Sequence, residues 1–94
     1  MYRTSRYFRV LGNPTAYLII RSLGRTRKTP TEMSRELNIP LTTVSSTLRH
    51  LRQVNMVRYE TKSRIKEYRL KDSEVLALLE KGETLAENMR IKAE

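Results

Sequence analysis

Between Pro40 and Asn55, the side chains Thr42, Thr43, Ser46, Arg49, His50 and Gln53 return to one side of a 3.6-residue helix, and Val44, Leu48 and Leu51 recur at i, i+4 and i+7 on the other. The polar set holds short hydrogen-bonding groups and one guanidinium. Those groups suit the edges of bases, where Arg reads guanine and Thr can meet the thymine methyl. A second set, Lys62, Arg64 and Lys66, lies in and beside a polar turn between two runs of β-branched and aromatic residues. Long cations on such a turn reach phosphates but have no fixed approach to a base edge. Together the two sets point to duplex DNA. Base choice falls to Thr42, Thr43, Ser46 and Arg49, and phosphate attraction to Lys62, Arg64 and Lys66 with the loop cations Arg25, Arg27 and Lys28. Ser45, at the flank of the helix, suits a phosphate or its own backbone; His50 suits a phosphate or solvent.

The elements that must carry these groups follow one another without linkers or repeats. A first helix covers about Arg3 to Leu11, with Tyr7, Phe8, Val10 and Leu11 as its apolar members. Gly12 favours a left-handed helix end, Asn13 caps the next helix, and Pro14 suits its first turn. That helix runs to Leu23, with Ala16, Ile19, Ile20 and Leu23 on one face. Thr29-Pro30-Thr31-Glu32 has the spacing of a capping box and starts a third helix, which ends near Leu37. Asn38-Ile39-Pro40 turns the chain into the fourth, which runs to about Asn55. Strands are expected over Val57–Thr61 and Ile65–Leu70, flanking the turn Lys62-Ser63-Arg64. From Asp72 a last helix carries Val75, Leu78, Leu79, Leu85, Ala86 and Met89 on one stripe, interrupted by Gly82. A glycine inside a helix costs about 1 kcal/mol relative to alanine, so Gly82 implies either a close helix approach or a kink, and the stripe covers either the domain's own core or, as so late and regular a helix more often does, a subunit interface.

Composition bounds the function. Ninety-four residues allow one small domain with a modest core, and the formal charge is +9. Up to Lys71 there are 16 Lys or Arg against 4 Asp or Glu; from Asp72 the balance reverses to 3 against 6. The basic excess therefore coincides with the polar helix and turn, which favours nucleic acid over a membrane surface. The absence of cysteine excludes disulfides, zinc-thiolate sites and thiol catalysis. The longest apolar run, Ala16 to Ile20, is far below the roughly 20 residues that span a bilayer, and no signal-peptide core follows the N-terminus. A soluble, cytoplasmic protein is expected.

The ordered set resembles an ArsR-type winged helix-turn-helix transcriptional regulator over about residues 7 to 71. RYFRVLGNPTAYLIIRSL resembles the family's entry through a Leu-Gly-Asx-Pro-Thr turn. TEMSRELNIPLTTVSSTLRHLRQVNMV resembles its helix-turn-helix, with Val44, Ser45 and Leu48 in the V-S-x-x-L places, and RYETKSRIKEYRL resembles its wing, closed by Tyr68 and Leu70. The resemblance implies an α+β, mostly α fold of about five helices with a two-stranded wing, forming one DNA-binding domain over residues 1–94 in which 72–94 is a dimerisation helix. It implies a homodimer paired through the first and last helices at Tyr7, Phe8, Val75, Leu78, Leu79, Gly82, Leu85, Ala86 and Met89, acting as a repressor at a palindromic site. The chain departs from the pattern at Ala16, Thr47 and Ser63, where Arg, His and Gly are frequent. The thiols and last-helix histidines used by metal-sensing members are missing, so neither a metal site nor a cofactor is expected, and no small-molecule effector is assigned.

Three other classes compete. An enzyme is disfavoured by a single histidine and by the lack of a phosphate-binding glycine loop or a carboxylate pair in a plausible cleft. A non-specific architectural or RNA-binding winged helix shares the charge pattern, but the Arg-containing outer face of the fourth helix favours specificity. A protein-interaction module without nucleic acid conflicts with the concentration of positive charge.

Overall fold

Seven elements follow in the order α1 (Tyr2–Leu11), α2 (Pro14–Leu23), α3 (Pro30–Leu37), α4 (Leu41–Gln53), β1 (Val57–Lys62), β2 (Ile65–Leu70) and α5 (Ser73–Ala93). The computed structural model describes residues 2–93, with side chains for 3–89, so the expected domain ends Met1 and Glu94 lie outside the described residues. The architecture is a winged helix-turn-helix.

Local chemistry sets the helix boundaries. Asn13 Oδ1 accepts the Ala16 N–H at 3.1 Å and Pro14 opens α2. At α3 the capping box is complete: Thr29 Oγ1 accepts from Glu32 N, and Glu32 Oε1 accepts from Thr29 N. Asn38 ends α3 in the left-handed region at φ 55°. Ser34 then locks the turn into α4, donating its hydroxyl to Ile39 O at 2.6 Å while its carbonyl accepts from Ile39 N. Asn55, at φ 65°, closes α4. Gly12 differs from expectation. It does not have a positive φ, and Gly24, read only as part of a basic loop, ends α2 at φ 47° and ψ −119°, a backbone that only glycine takes readily.

The strands pair antiparallel from Val57↔Leu70 to Lys62↔Ile65. The connection is the two-residue turn Ser63-Arg64, not the three residues expected, so Lys62 ends a strand and does not sit at the tip. Both turn residues have positive φ, 50° and 67°, the sense that matches the right-handed twist of a hairpin.

Lys28 joins the wing to the helices. Its backbone exchanges two hydrogen bonds with Tyr68, at 3.0 and 2.8 Å, and so covers the outer edge of β2. Its ammonium donates to Ser22 O at 2.7 Å and pairs with Glu36 at 2.6 Å. Around this point Ile19, Ile20, Leu23, Met33, Val44, Leu48 and Leu51 are fully buried, with Val57, Tyr68 and Leu70 closing the core from the wing.

The stripe on α5 divides. Leu79 is only 5% exposed and, with the unanticipated Leu76, belongs to the protomer's own core; Val75 packs against that core. Leu79, expected at the dimer seam, is thus mostly taken up by the protomer's own core, with its remaining surface on the groove beside α1. Glu83 fastens the middle of the helix to α2, accepting the Tyr17 hydroxyl and pairing with Arg21 Nε at 3.3 Å. Beyond it, Leu85 and Met89 stand 60% and 62% exposed. The radius of gyration, 14.1 Å, exceeds the roughly 12 Å of a compact chain of this length, in keeping with a helix that runs past its core.

The Lys28 hydrogen bond, then that of Ser22, holds the Glu36 carboxyl below the usual carboxylate range. A depressed carboxylate contributes stability above its unfolded value and loses it as pH falls through the folded one. Glu36→Gln should therefore be less stable than the native chain near neutrality, with the difference closing below about pH 4. Urea unfolding across that range checks this; a constant difference would show that the ion pair contributes nothing.

Candidate nucleic-acid interface

The core of α4 fixes its outer face. Because Val44, Leu48 and Leu51 are fully buried, Thr42, Thr43, Ser46, Arg49, His50 and Gln53 all point outward and are exposed, while Ser45 is half-buried at the flank. Ser46 is exposed and donates its hydroxyl to Thr43 O at 3.1 Å, which leaves its oxygen able to accept. Arg49 has no ion-pair partner among the described residues, which leaves its guanidinium open to a bidentate contact.

The wing is more heavily committed than its sequence suggests. Glu60 and Glu67 stand directly opposite each other in the ladder, a pairing of like charges that destabilises a hairpin. Each is neutralised: Glu60 by Arg27 at 3.1 Å and Glu67 by Lys62 at 3.4 Å. Lys66 lies 4.7 Å from the Tyr59 ring centroid and Arg52 lies 5.4 Å from it, while Tyr59 packs on Tyr68 at 5.3 Å. Burial pushes the Tyr68 phenol up. Tyr68 is thus core, and Tyr59 is a half-buried platform for two cations.

Of the loop cations, Lys28, expected to attract phosphate, is bound internally by Ser22 and Glu36. Arg27 is held by Glu60, and Arg25 is exposed. Arg64 takes no ion pair among the described residues and sits at the apex of the turn with φ 67°. Arg6 and Arg9 were not among the residues expected at the interface. They line clefts beside α4 with His50, and the signal for them was the spacing Arg3, Arg6, Arg9 along one side of α1. Among the described residues no group of three His, Asp or Glu could hold a metal ion.

Phe8, Leu11, Tyr17, Leu78, Leu79, Leu85 and Ala86 line an apolar groove of about 500 Å³ among α1, α2 and α5. Phe8 is 58% exposed there, and a Cβ on Gly82 would meet nothing within 4 Å. Tyr7, like Leu11 and Tyr17, is partly buried against the protomer core.

A family model described as a helix-turn-helix domain matches residues 11–60. Among solved structures, the chain is similar to HlyU from Vibrio cholerae, at 21% identity and a TM-score of 0.81, covering 89% of this chain and 91% of that one. It is similar to the antimony-specific transcriptional repressor AntR, at 26% identity and 0.81, covering 93% and 79%. It is also similar to the homodimeric winged helix-turn-helix DNA-binding domain of Mb0332 from Mycobacterium bovis, a possible ArsR-family transcriptional regulator, at 20% identity and 0.84, covering 93% and 81%. No curated protein sequence matches the chain.

Left-handed backbone costs a residue other than glycine about 1–2 kcal/mol, and Arg64 occupies that region at the wing tip. Arg64→Gly should raise the thermal midpoint while weakening DNA binding on every sequence alike. A lower midpoint would mean that Arg64 makes a stabilising contact; unchanged binding would remove it from the interface.

Proposed function

The chain belongs to the helix-turn-helix domain family, and on that premise we propose that it is a sequence-specific regulator of transcription, a homodimeric repressor that reads a palindromic duplex site in the major groove. A helix-turn-helix domain is a binding module, and the chain is not an enzyme. The observation that carries the reading is the outer face of α4: an arginine and three short hydroxyl side chains, all exposed, on a helix whose opposite face is locked into the core. Thr42, Thr43, Ser46 and Arg49 select bases, and Ser45, His50, Lys62, Arg64 and Lys66 position the duplex through phosphates. A repressor role is supported by likeness to AntR, and cytoplasmic residence follows from the proposed work on DNA. No helix among the described residues is long and apolar enough to cross a membrane.

The second copy sits on the groove between α1 and α5. Phe8, Leu78, Leu85 and Met89 are large apolar groups left in solvent on one protomer, and Gly82 lies between them with open space above it, as a close approach of two helices requires. A two-fold axis there would present two α4 helices to successive major grooves about 34 Å apart.

Two measurements test these proposals. With a selected operator and a competitor duplex at fixed salt, Arg49→Ala or Thr43→Ala should cost about 1–3 kcal/mol on the operator alone. A uniform loss on both duplexes would favour the architectural reading. Leu85→Asp, at a position clear of the protomer core, should yield a monomer on sedimentation that still unfolds cooperatively and has reduced operator affinity. A dimer that persists would move the interface elsewhere.

A further inference from the structure

Two clefts lie side by side between α1 and the reader helix α4. One, of about 350 Å³, is lined by Arg9, Asn13, Ser46, Thr47 and His50 among others; the next, of about 370 Å³, by Arg6, Arg9 and His50. They share Arg9, Val10 and His50, so they form one trough with the buried Val10 among its lining. No carboxylate lines either part. Arg6 and Arg9 enter none of the ion pairs among the described residues, whereas Arg21, Arg27, Lys28 and Lys62 are each paired. Two guanidinium groups, an imidazole and the hydroxyls of Ser46 and Thr47 thus border one concave surface. The capped start of α2, at Asn13, adds the positive end of a helix to the same wall.

We propose that this trough binds a phosphate of the duplex backbone, with Arg6 and Arg9 as its principal donors, giving the domain a second backbone grip separate from the wing. The inference rests on the DNA-binding reading. Guanidinium groups match phosphate oxygens in fork geometry, and the trough is continuous with the reading face, since Ser46 and His50 belong to both. A duplex engaged by α4 therefore brings a backbone past Arg9 without any change in the fold. On this account the first helix anchors one end of the reader helix while the wing anchors the hairpin side, and the two grips fix the angle at which Arg49 meets the bases.

The test compares the full chain with Arg6→Gln/Arg9→Gln, Arg6→Lys/Arg9→Lys and Lys62→Gln/Arg64→Gln, by fluorescence anisotropy of operator and competitor duplexes over a salt series. The Gln pair should reduce the salt slope by about 1 for each phosphate that is no longer neutralised, equally on both duplexes and in addition to the loss in the wing variant. The Lys pair should retain most of the slope. Matching thermal midpoints will show that the folds are intact. A Gln pair with the native slope, where the wing variant is weakened, overturns the trough and leaves the DNA-binding reading in place. A native chain that binds no duplex overturns both. Inorganic pyrophosphate that shifts the His50 ring resonances while the slopes stay equal would assign the trough to a free polyanion, and the backbone proposal would fall.

Discussion

Lys28 is the residue on which the geometry of the interface depends. A two-stranded hairpin on its own is marginal in water, and this wing pairs with no further strand among the described residues. Lys28 supplies the missing edge with two backbone hydrogen bonds to Tyr68, and its ammonium is held by Ser22 at the end of α2 and Glu36 in α3. One residue thereby sets the wing against both helices that support the reader. The Lys28 charge that composition counts as available for DNA is here part of the scaffold, while Arg27 and Lys62 hold exposed surface pairs with Glu60 and Glu67 across the wing.

This division explains what the sequence could and could not show. Boundaries governed by local chemistry were legible: the Thr29–Glu32 box, the Asn13-Pro14 start, Asn38 and Asn55 as left-handed ends. So was the fourth helix, because three buried apolar positions leave only one face for Thr42, Thr43, Ser46 and Arg49. Long-range pairing was not legible. Nothing in the order of residues says that Lys28 meets Glu36 and Tyr68, or that Glu83 meets Tyr17 and Arg21. The stripe from Val75 to Met89 divides for a related reason. Its spacing is that of one helical face, but the domain beneath it is shorter than the helix, so Leu79 finds a core and Leu85 does not.

The wing shows how specificity of position is bought against stability. Ser63 and Arg64 both occupy left-handed backbone that glycine or asparagine would take at lower cost. Strained residues of this kind persist where the surrounding structure over-determines them, commonly at functional positions. Six hairpin pairs, the Tyr59–Tyr68 contact and the cations on Tyr59 hold the strands in register, so the tip can carry an arginine whose conformation is unfavourable by itself.

The same reasoning extends to α5. Twenty-one residues at about 1.5 Å each make a rod of about 31 Å, anchored by Leu76 and Leu79 at one end and by Glu83 midway. The Glu83 carboxylate, by hydrogen bonding, raises the pKa of the Tyr17 phenol and keeps it a donor across the neutral range. Past that anchor, helix propensity and solvent-exposed apolar side chains are all that the protomer supplies, and short isolated helical segments are marginal in water. A second copy covering Leu85 and Met89 would stabilise the free half of the helix and, in the same step, fix the separation of the two reader helices. In the proposed assembly one element would set both the dimer and the operator spacing, so that loss of the dimer and loss of operator affinity would be two readings of the same free energy.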